Sequence, residues 1–205
     1  MQFEGFTEHD FDTFNIEGLE ARMQAIEERI RPKFRIIGQS LTDDLSASLG
    51  REMFLHIAKH ARRTVNPPKD TWLAIASNKR GYKQHPHFQI GLFDDHVFIW
   101  LAFIYELPNK TEIAKTFLKN LPTIKKTVPN DFVVSLDHTK KEAISMKEID
   151  LKAALERFRD VKKAEFLIGR HIDANDPILS DGNAFMNIAK ETFETLIPLY
   201  ELAYK

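Results

Sequence analysis

The sequence predicts an α/β protein of the α+β type, a mainly antiparallel sheet of about six strands packed with helices. Three observations predict it. Apolar residues recur at helical spacing over the first fifty positions, the period shortens to near two from Glu52 onward, and the connections between the first four short-period runs are mostly brief. A parallel crossover needs a dozen or more residues, so such connections favour antiparallel neighbours in a meander.

Leu19, Met23, Ile26 and Ile30 share one helical face, and Phe34, Ile37, Leu41, Leu45 and Leu49 repeat the stripe after Pro32. Proline disfavours helical backbone in the residue before it, so Arg31-Pro32 predicts a break or kink between two helices. Gly50 supplies the stop. Met53, Leu55 and Ile57 then alternate with Phe54, His56 and Ala58, a first strand with one apolar and one mixed face. Asn66 to Asp70, with two prolines, is a loop. Residues 71–77 and 87–93 read as the second and third strands, joined through a turn at Asn78-Lys79-Arg80-Gly81. Residues 96–105 are apolar at both parities, so the fourth strand is expected to be central and covered on both faces.

Further on, Asn109 with Glu112, and Ser145 with Glu148, resemble capping boxes for two helices. Residues 132–136 and 164–168 read as the fifth and sixth strands, and a closing helix runs from about Asn183 with Pro198 as a kink. A chain of 205 residues suits a single domain. Sixteen phenylalanines against four tyrosines and two tryptophans predict an aromatic core, and the absence of cysteine excludes disulfides, thiolate metal sites and cysteine nucleophiles. The N-terminus does not read as a signal peptide and no apolar run reaches the roughly 20 residues of a membrane span, so the expectation is a cytoplasmic protein with no membrane partner.

Charge is where the sequence turns towards function. Between residues 51 and 90 stand eight Lys or Arg residues against two acids, although the whole chain carries a net charge of −1. Four of the eight histidines, His56, His60, His85 and His87, fall in the same window. Strand parity aims His56 and His60 at the mixed face of the first strand, and His87, Gln89 and Gly91 at the corresponding face of the third. These two strands are expected about 9 to 10 Å apart, with Gly91 and the small Ala58, Ala74 and Ala76 leaving room for a ligand. The turn Lys79, Arg80, Gly81, Lys83 offers backbone donors and cations to an anion, and Arg62 and Arg63 extend the rim. Beside this stands a plainer reading, in which the histidines are satisfied within the fold and the basic turn is solvated.

Two other constellations are weaker. His85-Pro86-His87 supplies two imidazoles at metal-ligand spacing, but no third ligand converges, and no metal is assigned. Ser135, Asp137 and His138 have the residue types of a catalytic triad. Neighbouring Asp and His side chains diverge, however, so the segment reads instead as a side-chain-stabilised turn ending the fifth strand.

The segments Glu52 to Phe54, His56 to Arg63, Val65 to Pro68, Asp70 to Trp72, Lys79 to Lys83, Pro86 to Leu92 and Ser135 to Lys140, with Gly5-Phe6 and Gly18 to Met23 near the start, resemble the YktB-like family of uncharacterised proteins from low-GC Gram-positive bacteria. The resemblance covers nearly the whole chain and brings no activity, cofactor or catalytic residue with it. It implies one α/β domain with a mainly antiparallel sheet, related in fold to the biotin and lipoate protein ligases. There a glycine- and arginine-rich loop cradles an adenylate. The turn at Lys79 to Lys83 has a loosely similar place, without the repeated glycine-arginine pattern.

The leading functional expectation is therefore a protein that binds an anionic small molecule, such as a nucleotide or phosphorylated metabolite, through His56, His60, Arg62, Arg63, Lys79, Arg80, Lys83, His87 and Gln89. A nucleic-acid-binding or regulatory module using the same rim is the alternative, disfavoured by a pI near 6.7. A structural interaction protein without ligand is the third. No reaction and no cofactor are assigned by the sequence.

Overall fold

The apolar stripe that begins at Leu19 becomes one helical path as far as Leu49. In the computed structural model, which describes residues 2–205, a short helix α1 (Glu8–Phe11) and a 3₁₀ turn precede α2 (Leu19–Ala25), a π-helical turn (Ile26–Ile30) and α3 (Arg31–Leu49). The break expected at Pro32 does not occur. A proline inside an α-helix clashes with the carbonyl four residues earlier, and here the backbone widens in the turn just before it, where the Arg31 N–H bonds the Ile26 carbonyl. Gly50 ends α3 as predicted, with a left-handed φ of 59° that suits a residue without a side chain.

The sheet has seven strands, one more than expected. They are β1 (Phe54–Ile57), β2 (Thr71–Ala76), β3 (His87–Leu92), β4 (His96–Phe103), β5 (Val133–Ser135), β6 (Ile144–Ser145) and β7 (Phe166–Asp173). Every pairing is antiparallel and the order is β1-β2-β3-β4-β7-β5-β6. The first four strands form the predicted meander, and β4 is central and buried along its whole length. The fifth strand is shorter than predicted, and the last runs on to Asp173. β6 escaped the sequence reading because it has only two residues. Ser145 pairs in it with Val133, while the cap of the following helix α6 (Leu151–Asp160) is Asp150, whose carboxylate accepts from the Ala153 N–H.

The remaining helices are α4 (Lys110–Lys119), α5 (Leu121–Thr127) and α7 (Gly182–Leu202), the last continuing through Pro198. Helices cover one sheet face. Leu73, Ile75, Phe88, Ile90, Ile99, Leu101, Phe103, Phe166 and Ile168 point into a core completed by Phe34, Ile37, Phe117, Phe158, Phe185 and Phe193 from the helices. Each fully buried phenylalanine contributes about 2 to 3 kcal/mol. The opposite face carries a smaller cluster built from strands and loops alone, with Phe98, Trp100, Ala102 and Leu167 buried and Trp72 and Ala143 at its margin. Among the described residues no helix is long and apolar enough to cross a membrane.

Candidate functional site

The face away from the helices gathers the polar side chains. Register places His56 beside Ala74, Ala74 beside Gln89 and Gln89 beside Trp100, so the mixed rows predicted from parity run across the sheet. The space over them is not open. A Cβ at Gly91 would run into the Phe98 ring, so that glycine accommodates a neighbouring side chain, where a ligand had been expected. Tyr82, from the loop between β2 and β3, covers the rest. Its hydroxyl accepts from Trp72 Nε1 at 2.9 Å, and its ring lies 5.5 Å from that of His56 and 4.9 Å from that of His87.

His87 and Gln89 are therefore buried beneath the site, at 0% and 4% exposure. His87 Nδ1–H donates to the His85 carbonyl at 2.8 Å, which leaves Nε2 to accept from Gln89 Nε2 at 3.1 Å. Burial holds its pKa down at about 4, so the ring is neutral and fully engaged. Neither residue is placed to meet a ligand, and His85-Pro86-His87 does not present two rings to one metal.

The other predicted residues come together better. Two adjoining hollows, of about 740 Å³ and 380 Å³, open beside the edge of the sheet. His56, Asn78, Arg80 and His85 line the larger, and His60, Arg62, Arg63 and Trp72 the smaller; Lys59, Tyr82, Lys83 and Glu106 belong to both. Six of the nine predicted residues thus meet at these hollows, while Lys79 lines neither.

Local chemistry explains how each is held. His56 Nε2–H donates to the Asn78 carbonyl at 2.9 Å, tying β1 to the turn, and the Asn78 side chain accepts from the Arg80 N–H at 2.8 Å. Burial lowers the His56 pKa, partly offset by that carbonyl. His60 lies beyond the end of β1, so strand parity does not govern it. It takes a left-handed backbone (φ 51°), which is strained for a residue with a side chain, and in that conformation the ring meets Trp72 edge-on at 5.4 Å and bonds Thr71 Oγ1 at 3.1 Å. Its pKa falls to about 4, first through burial and then through the charges of Arg63 and Arg31. Lys83 pairs with Glu106 at 3.2 Å.

Three residues of this face were not selected from the sequence. Glu165, at 3% exposure, accepts from His138 Nδ1 at 2.7 and 2.9 Å and from the backbone N–H of His138 and Tyr105. The His138 ring meets Trp72 at 6.5 Å. Asp70, at 8% exposure, feels the charges of His138 and Arg63. Asp70 has the parity of Trp72, and Glu165 that of Leu167 and Gly169, a signal legible only once the two strand starts are known. Ser135 and Asp137 form the expected turn: Ser135 Oγ donates to the Asp137 carbonyl, and Asp137 Oδ1 accepts from the Thr139 N–H and hydroxyl. Asp137, His138 and Glu165 each bring one donor atom within 4.8 Å of the others. The N–H and O–H groups just named already engage those carboxylates, which leaves a metal poorly served there.

A family model described as "Domain of unknown function (DUF1054)" matches residues 6–200. The chain belongs to the DUF1054 family. A UPF0637 protein of Shouchella clausii is 63% identical over 203 residues, covering 99% of this chain and 96% of its own length. Another, from Oceanobacillus iheyensis, is 63% identical over 199 residues, covering 97% and 96%. A UPF0637 protein of Listeria monocytogenes serotype 4b is 54% identical over 201 residues, covering 98% of each chain. The DUF1054 match spans every residue that lines the two hollows. It bears out the resemblance seen in the sequence and adds no activity to it.

Proposed function

We propose that this protein binds an anionic small molecule, a nucleotide or phosphorylated metabolite, across the two hollows, with Arg62, Arg63, Arg80 and Lys83 meeting its charge. One observation carries the reading: cations from two separate chain segments, Lys59 to Arg63 and Arg80 to Lys83, meet at hollows of about 740 and 380 Å³, the size range of small-molecule sites. Arginine presents a planar fork that matches phosphate oxygens two at a time. Neutral His56 and His60, with Trp72 and Tyr82, supply flat surfaces against which a ring can lie. The turn at Lys79 to Lys83 is also where the ligase resemblance would seat an adenylate, and all of its residues but Lys79 line the larger hollow.

Thermal shift and titration calorimetry with ATP, GTP, ribose 5-phosphate and inorganic phosphate test this. Binding that raises Tm with the logarithm of ligand concentration above Kd is expected for at least one of them, and R62A/R63A should weaken it about tenfold to a hundredfold. No response from any of the four, or equal binding by R62A/R63A and R80A, would sink the reading. A protein-DNA or protein-RNA gel shift with a steep salt dependence would instead favour the nucleic-acid module.

A further inference from the structure

Three strands in from β1, at the start of β4, His96 is 8% exposed and its two ring nitrogens fare differently. Nδ1–H donates to Asp95 Oδ1 at 2.6 Å, and that carboxylate is itself fixed by Lys141, whose Nζ donates to Asp95 Oδ2 at 3.0 Å. A carboxylate only accepts, so the proton sits on Nδ1 and Nε2 keeps a free lone pair. That Nε2 is buried, and no donor among the described residues reaches it. Buried polar atoms are nearly always paired, and an exception in a native fold calls for a partner.

Against the His96 ring stands His171. Antiparallel register sets Asp173 opposite His96 and His171 opposite Phe98, so the two histidines are diagonal neighbours on the polar face. Their ring centroids lie 4.1 Å apart with the planes tilted by 37°. Phe93 stacks on His96 at 5.1 Å and Trp100 meets His171 edge-on at 4.8 Å, which gives the pair apolar walls. Even at this approach no hydrogen bond joins His96 Nε2 to its neighbour. A nitrogen with a free lone pair, on a ring oriented by a carboxylate at its other nitrogen and set against a second imidazole, is how proteins present histidine to a metal.

We propose that His96 and His171 bind one divalent transition-metal ion of the zinc and copper class, with His96 Nε2 and one nitrogen of His171 as ligands and Asp95 as the carboxylate that positions His96. Imidazole suits these ions, and only its neutral form ligates. Both rings are neutral near pH 7: burial lowers His96 against the pull of Asp95, and burial followed by the charge of His96 holds His171 at about 3. Asp173 shares the side of the sheet with His96 but is engaged elsewhere, since its Oδ1 accepts from the Asn175 N–H and side-chain amide at 2.8 and 3.0 Å. The protein thus supplies two ligands, and water completes the coordination. Such a site exchanges its ion, unlike the closed four-ligand kind that organises a fold. It is independent of the anion-binding reading, because neither histidine lines either hollow.

Titration of the chelator-treated protein with Zn²⁺ and Cu²⁺ tests the site. Tm is expected to rise with the logarithm of free Zn²⁺ above Kd. Cu²⁺ should quench tryptophan fluorescence at one ion per chain, since Trp100 adjoins His171. H96Q and H171Q should each abolish this saturation, and D95N should weaken it about tenfold. H138Q, which dismantles the cluster of Asp137, His138 and Glu165, should leave it unchanged. Because H96Q also alters the packing of β4, nitrogen NMR of the wild-type histidine rings gives a readout that needs no substitution. There Zn²⁺ should move the Nε2 resonance of His96 and leave its Nδ1 protonated. Absence of binding by either ion, binding kept in both H96Q and H171Q, binding lost in H138Q, or an unmoved His96 Nε2 would each overturn the proposal.

Discussion

Lys110 is the second residue of what reads in the sequence as a helix start, and it is one, yet its side chain is buried. Its Nζ donates to the carbonyls of Phe158, Val161 and Ala164 at 2.6, 2.7 and 3.4 Å, closing the C-terminal end of α6. A cation there also meets the negative end of the helix dipole. K110M is expected to lower the unfolding free energy by about 2 kcal/mol or more, because the carbonyls lose their partner in a dry site. Urea denaturation followed by circular dichroism measures it, and an unchanged midpoint would contradict the assignment. The helix start at Asn109 is legible from sequence, although the expected capping box does not form, since the Asn109 side chain makes no cap hydrogen bond; the burial of Lys110 is not legible, since its partners lie about fifty positions away. The same limit hid Glu165, whose partner His138 lies 27 positions away.

Strands with strong alternation were easy to read, and β1 to β4 and their meander order follow from hydrophobic period and turn length. Elements whose identity depends on their neighbours were harder. β6 exists only because Val133 and Val134 offer it an edge, and α3 keeps its path past Pro32 only because of the π turn before it. The glycines of the polar face belong to the same class. Gly91 looked like room for a ligand, but it makes room for Phe98 on the adjoining strand. G91A should therefore cost about 1 to 3 kcal/mol through overpacking, and pairing it with F98L should restore part of the loss. A double-mutant cycle in urea gives the coupling energy. A value near zero would mean that the two positions are independent.

For the molecule as a whole, the polar face sets the response to acid. Burial is the first cause that holds His60 and His87 at about 4 and His171 at about 3, with neighbouring cations or histidines adding to it. Each binds its proton less well in the fold than in the unfolded chain, where an imidazole titrates near 6.5. Unfolding thus takes up protons as pH falls from about 6.5 towards 4, and stability declines across that window. Asp70 works the other way: raised to about 6 in the fold, it favours the folded state as pH falls from about 6 towards 4. His138, raised above 6.5, adds stability that is lost as pH rises through its folded value. With His60, His87 and His171 against Asp70 and His138, the urea midpoint should fall between pH 7 and pH 5. Of that fall His87, wholly buried and held at about 4, accounts for about 2 kcal/mol, and H87Q should flatten that slope. The sequence showed the histidines gathered near the sheet; it could not show that their neutrality, more than their charge, is what the fold demands.

The π turn at Ile26–Ile30 leads to a last point about how such a chain can vary. A turn of this kind stores one surplus residue within an otherwise regular rod, and Pro32 sits where that surplus removes its clash. Deletion of one residue there would restore an ordinary spiral and at once make the proline intolerable, whereas a deletion together with a non-proline at position 32 would leave the downstream stripe from Phe34 to Leu45 facing the sheet as before. The two features are locked as a pair, so viable length changes in this segment should arrive only alongside loss of the proline.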